Sequence, residues 1–176
     1  DNVHLIGSTR ENTIIDIEAN TEKQARGFIV QEVANVKIAN LTITGGSAED
    51  AGCQGGGAIL LTNNNSDVYD ENGENAPYAE SSAILENLYI TGNHAYNGGG
   101  LGVFRLIGPV INNVIVENNT ARTHGGGIFH HNAISHISNT LVKDNEAQIE
   151  NGGGIMFAWS GGTLTDVTIE NNNSGY

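Results

Sequence analysis

The sequence predicts an all-β protein built as a single-stranded parallel β-helix, a solenoid of about six coils of roughly 27 residues. Three observations carry this expectation. A glycine motif recurs, with Gly98-Gly99-Gly100-Leu101, Gly125-Gly126-Gly127-Ile128 and Gly152-Gly153-Gly154-Ile155 standing 27 residues apart and a looser copy at Gly56-Gly57-Ala58-Ile59. A second signature follows each copy: apolar, any, Asn or Asp, apolar or Thr, any, Ile or Val, two free positions, then Asn. It runs from Leu85 to Asn93, Ile111 to Asn119, Ile137 to Asn145 and Leu164 to Asn172, and a fifth copy, Ile38 to Gly46, closes on Gly. Finally, period 2 dominates over helical periodicity, in short runs such as Phe28-Ile29-Val30, Leu88-Tyr89-Ile90 and Val114-Ile115-Val116, separated by the turn formers Gly, Asn and Asp.

Strands this short cannot supply a propeller blade, which needs four strands in roughly 40 residues. They suit a coil of three strands and three turns, stacked on its neighbours about 4.8 Å apart as parallel sheets. Residues 1–26 read as a degenerate first coil whose clearest strand is Thr13 to Ile17. Coils 27–55, 56–97, 98–124, 125–151 and 152–176 follow, all in one domain. Within a coil the first strand starts at the glycine motif, as in Gly127 to His131. The second lies in the Asn-bounded signature, as in Asn113 to Val116, and a short third lies near Ala95-Tyr96, Ala121-Arg122 and Ala147-Gln148. Glycine precedes the first strand because a sharp corner with φ > 0 costs it no Cβ strain. The closing residues Asn93, Asn119, Asn145 and Asn172 come into register from coil to coil. They predict an internal, structural amide ladder at a turn that Asn can enter in the left-handed conformation. Residues 62–82 break the period with an acidic stretch and no strand pattern, and read as a surface loop.

Composition narrows the function classes. The 176 residues include 24 Gly, 24 Asn, seven Lys plus Arg and 20 Asp plus Glu, for a formal net charge of −13. So few cations argue against nucleic acid, whose phosphates need clustered positive charge, and against anionic membrane surfaces. No apolar run approaches a membrane span, which argues against direct insertion. Cys53 is the single cysteine and reads as an inert thiol.

The Gly-Gly-Gly-Ile motif followed by Ile137-Ser138-Asn139-Thr140-Leu141-Val142-Lys143-Asp144-Asn145 resembles the repeats of right-handed parallel β-helix proteins of the pectate-lyase-like superfamily. The pairing of the two motifs is most similar to the repeats of polymorphic outer-membrane proteins of bacterial surfaces, although Ile or Val stands here where those repeats usually carry Phe. The opening, from Leu5-Ile6-Gly7-Ser8 to Thr44-Gly45, is similar to the first coils of many such proteins, and the resemblance spans nearly the whole chain. It implies right-handedness, as does the handedness rule for parallel crossovers. It also raises polysaccharide lyases and hydrolases, whose sites use carboxylates on the outer face of the first sheet, with Arg, Lys or Ca²⁺. The corresponding strands here, 59–62, 101–105, 128–131 and 155–158, contain no Asp or Glu, and paired carboxylates for glycoside hydrolysis must lie within about 10 Å of each other.

The favoured reading is therefore a non-catalytic module of the cell surface or extracellular space, serving adhesion, spacing or assembly. The alternative is a carbohydrate-binding or carbohydrate-cleaving module. Alternation turns Ile59, Leu101, Ile128 and Ile155 inward. It predicts an outward apolar patch of Ile29, Leu60, Phe129 and Met156, then Phe104 and His131, with Trp159 beside them. Either the loop from Thr62 to Ser82 folds over such a patch, or a protein or a glycan covers it, with protein contact preferred. His124, His130, His131 and His136 cluster in sequence, and His94 is expected near His124 on the adjacent coil. Neighbouring His130 and His131 point to opposite faces, so these histidines read as exposed or packed rather than as ligands. Asp70-Glu71-Asn72-Gly73-Glu74 is similar to part of a calcium loop but fails the full spacing at Val68 and Ala79; Ca²⁺, if bound, would use Asp67, Asp70, Asn72 and Glu74. Neither terminus offers a capping helix, so further coils of a longer chain or end-to-end self-assembly are expected to cover the ends.

Overall fold

The structure, a computed structural model, describes residues 2–20, 22–31, 35–49, 55–63 and 79–175. It is an all-β parallel solenoid of about five turns, with counterpart positions about 27 residues apart. The first sheet stacks Phe28–Gln31, Ile59–Thr62, Leu101–Phe104, Ile128–His131 and Ile155–Ala158. A second, eleven-stranded sheet follows it along each coil, and a third sheet stacks Ser47–Ala48, His94–Asn97, Thr120–His124, Glu146–Ala147 and Asn173–Ser174. The count falls short of six because the described residues among 1–26 contribute two strands, Val3–Ile6 and Ile14–Asp16, both paired along Val36–Thr44. Among the described residues this coil adds no strand to the first sheet.

Each of the last three coils, from residue 98 onward, has four straight pieces and four corners, rather than three. The Asn or Asp at the third position of the second signature is left-handed: Asn40, Asn87, Asn113, Asn139 and Asp166 have φ between 50° and 59°. The chain therefore bends inside the signature, and in the later coils it splits into two strands, such as Ile134–Ser138 and Leu141–Lys143. The fourth coil turns at Gly125, Asn132, Asn139 and Asp144, and the fifth at Gly152, Trp159, Asp166 and Asn171, all with positive φ. Only short polar side chains and Gly occupy this region cheaply. That accounts for the abundance of Asn, and it leaves Glu18, Arg105 and Trp159 as exceptions among the described residues. The left-handed residue at the last corner is the one before each closing Asn, Asn118 rather than Asn119, so the expected left-handed role shifts by one position.

The three glycines of the motif serve different ends. The first of each triplet, such as Gly98 (φ 58°) and Gly125 (φ 62°), makes the corner. The second is required by the neighbouring coil: a Cβ on Gly99 would lie 2.4 Å from the Gly126 carbonyl oxygen and 2.5 Å from that of Thr120. The third faces the interior with more room, since a Cβ on Gly100 would meet nothing closer than 3.0 Å, and Ala58 occupies the same place in an earlier coil.

Inside, columns of like side chains stack. Phe28, Ile59, Leu101, Ile128 and Ile155 form one, and Ile43, Ile90, Val116, Val142 and Ile169 another. The third sheet turns Ala48, Ala95, Ala121 and Ala147 inward, all essentially buried. Among the described residues the main strand-to-strand contacts run between successive coils, so stability is carried by each interface in turn. Gly99→Ala is expected to cost about 3 kcal/mol through overpacking against backbone, and Gly100→Ala less than about 1 kcal/mol. Urea midpoints of the two variants measure the difference, and equal losses would contradict the division of roles among the three glycines.

Candidate functional site

The closing asparagines support everything around them. Asn93, Asn119 and Asn145 are 2%, 1% and 1% exposed, and Asn172 is partly buried. Each Nδ2 donates to the next Oδ1: Asn93 to Asn119 at 3.0 Å, Asn119 to Asn145 at 3.1 Å and Asn145 to Asn172 at 2.9 Å. The same Oδ1 atoms accept backbone N–H groups of the preceding coil, from Asn93, Asn119 and Asn145. Nδ2 of Asn119 also lies 2.9 Å from the Ile90 carbonyl and 3.0 Å from that of Glu117. A buried amide with all its groups bonded holds register, and removing it orphans several partners at once. A second ladder runs along the exposed corner, from Asn113 Nδ2 to Asn87 Oδ1 and from Asn87 Nδ2 to Asn40 Oδ1.

The outer face of the first sheet differs from the open patch expected there. Ile29, Leu60, Gly102, Phe129 and Met156 do form one outward column, and Thr62, Phe104, His131 and Ala158 the next. Leu60, Phe104 and Phe129 form an apolar cluster separate from the interior core. They are nevertheless only 2%, 6% and 4% exposed. Phe104 places an edge over Gly102, where a Cβ would come within 3.0 Å of it. Phe104 meets Phe129 edge to face with centroids 5.5 Å apart, and the His124 imidazole stacks on Phe129 at 5.8 Å. Met156 packs partly buried against this cluster, and His131 bridges it to Trp159, 5.4 Å away and nearly perpendicular. What stays open is the two ends of the strip. Ile29 is 54% exposed beside a pocket of about 490 Å³ lined by Gln24, Arg26 and Ser47, and Trp159 is 79% exposed. Trp159 also takes φ 48°, in the position held by Asn132 and Arg105 in the two preceding coils.

The histidines do not converge. His94 pairs in register with Thr120, whereas His124 pairs with Asn97, so the expected proximity of His94 and His124 is not met. His94 Nε2 instead lies 3.4 Å from Glu49, which also reaches Arg122 at 3.5 Å, and His124 Nε2 lies 3.2 Å from Glu150. His131 is held below its ordinary range by burial and by the Arg105 charge. His130 points inward and is fully buried. No group of three or more His, Cys, Asp or Glu among the described residues could hold a metal ion, and Asp67, Asp70, Asn72, Glu74 and Cys53 lie outside those residues.

Sequence reasoning missed one polar constellation on the second sheet. Tyr89 donates to Glu117 at 2.8 Å and Lys143 reaches the other Glu117 oxygen at 2.8 Å. The Lys143 ammonium holds the Glu117 carboxyl below its usual range, and burial, then Glu117, pushes the Tyr89 phenol up. Thr91, Glu117 and Lys143 form one register column, which the repeat alignment contains.

Asn119→Ala is expected to destabilise by about 3 kcal/mol, because the Asn93 amide and its neighbours lose buried partners. Asn113→Gly, which keeps the left-handed corner and removes only an exposed bond, is expected to cost less than about 1 kcal/mol. Trp159→Asn should raise stability by about 1 kcal/mol by relieving the left-handed strain. Phe129→Ser should lower the melting temperature, as expected of a buried ring. Thermal melts of the four variants check all four directions.

No known protein family, curated protein or solved structure matches this chain.

Proposed function

We propose that this protein is a non-catalytic β-helix module of the pectate-lyase-like kind, with repeats similar to those of polymorphic outer-membrane proteins. In this reading it works at a cell surface or outside the cell, in adhesion, spacing or assembly. The observation that carries it is Trp159. A large ring in a left-handed corner costs folding energy and, at 79% exposure, regains little of it by burial within this chain. An exposed aromatic that is costly to the free protein is what a contact anchor looks like before its partner arrives. The partner is a protein surface that packs on Trp159 and His131. The strands of the first sheet carry no Asp or Glu, which favours contact over cleavage.

Trp159 is the single tryptophan, so its fluorescence reports on this face alone. Incubation with acidic and neutral polysaccharides is expected to leave them uncleaved by product analysis and the Trp159 emission unshifted. Beads coated with the protein are expected to adhere to cells of the surface it serves, and to lose most of that adhesion after protease treatment of those cells or after Trp159→Asn. Emission shifts with saccharides, or cleavage abolished by a single substitution, would instead favour the carbohydrate module.

A further inference from the structure

His130 is an ionisable side chain placed where the solenoid has no means of accommodating its charge. Register pairing sets it in the inward column Val30, Leu61, Val103, His130, Phe157, and it is 0% exposed. Its Nε2 lies 3.0 Å from the Oγ of Ser135, itself 1% exposed, and its ring stacks on Phe157 with centroids 4.7 Å apart. Its Nδ1 has no hydrogen-bond partner. An imidazolium needs an acceptor at each nitrogen, and here only one is in place. The strands on either side, Leu101–Phe104 and Ile155–Ala158, carry no ionisable residue. On its own strand His131 alternates to the outer face, and on Ile134–Ser138 the exposed His136 bonds Thr163. The contrast is with His94 and His124, each facing a carboxylate.

We propose that His130 is an acid trigger built into the core, whose protonation opens the coil that contains it and the coil stacked on it, while the earlier coils stay closed. Opening brings the ring to water, where both nitrogens find partners. It also uncovers Phe157, so the acid form exposes apolar surface that the neutral form hides. The opening stays local because each coil touches only the coils next to it, so one interface can part without the whole solenoid unfolding.

The sign of the pH dependence follows from burial, which lowers His130 from 6.5 to about 4. The opened coil takes up a proton below about pH 6.5, whereas the closed coil resists until about pH 4. Closure is therefore complete in strength above pH 6.5 and weakens as the pH falls towards 4. Each unit in that window raises the open population by up to about tenfold, for a total of about 300-fold.

Amide hydrogen exchange of the full chain, corrected for intrinsic rates, tests this between pH 7 and 4. The opening constants of Ile128–His131 and Ile155–Ala158 are expected to rise about tenfold per unit below pH 6. Those of Ile38–Ile43 should rise far less. In the double variant His130→Leu, Ser135→Ala, which replaces the polar pair with core-like side chains, the rise at the two strands should disappear. A wild-type rise that is uniform across all coils, or unchanged in the double variant, would overturn the proposal. If the variant does not fold, the ring resonances of His130 in the wild type decide. A closed-state imidazole still neutral at pH 5 supports the trigger, and one that titrates in the ordinary range refutes it.

Discussion

Each coil lies directly on the next, so a position meets its own counterpart, 26 or 27 residues away in the later coils. This stacking in register is the constraint on which the rest of the structure depends. It converts repetition in sequence into columns in space, and a column is stable only if its members tolerate one another. Aliphatic side chains do so by packing, as along Ile59, Leu101, Ile128 and Ile155. Asparagine does so because its amide is both donor and acceptor, so a column of amides bonds to itself without leftover groups. Charged residues cannot repeat in this way. The charged positions of the second sheet therefore alternate in sign where they meet, as Glu117 meets Lys143 and Glu86 meets Lys37. These pairs are exposed enough that their contribution to stability is small.

The corners are the second condition. Each of the last three coils changes direction four times, and each change uses a left-handed residue. Gly and Asn satisfy that need almost everywhere, which links the composition directly to the path of the chain. Arg105 and Trp159 depart from this at the same corner of two coils, Trp159 where the outer aromatic strip reaches solvent. Strain held at an exposed aromatic is the pattern expected when function is grafted on a scaffold that could fold better without it.

The two histidines of Ile128–His131 show how strongly one residue of register matters. His131 joins Phe104, Phe129 and Trp159 on the outer face, half-shielded and available for contact. His130, one position earlier, lies in the dry interior with a single hydrogen-bond partner. Chemically identical side chains thus take part in a surface and in a core, because successive side chains of a strand point to opposite faces.

The sequence by itself determined the solenoid, the period, the inward columns and the alignment of Asn93, Asn119, Asn145 and Asn172. All of these follow from repetition, since stacking places like on like whatever the details of the path. The inward placement of His130 was also implicit in the alternation from Ile128. Only the tertiary structure decided the rest. The bend at Asn113 and Asn139 depends on backbone angles that a period does not encode, and an Asn in a repeat is as compatible with a straight strand as with a corner. The need for glycine at Gly99 comes from a carbonyl one coil away. The packing of Phe104 and Phe129 depends on an edge of Phe104 set over Gly102, on the edge-to-face contact of the two rings and on the His124 imidazole stacked on Phe129. Alternation gives the face a side chain leaves from, but how far it then lies down on its neighbours is set by the shape of the surface beneath it, which exists only once the coils are stacked.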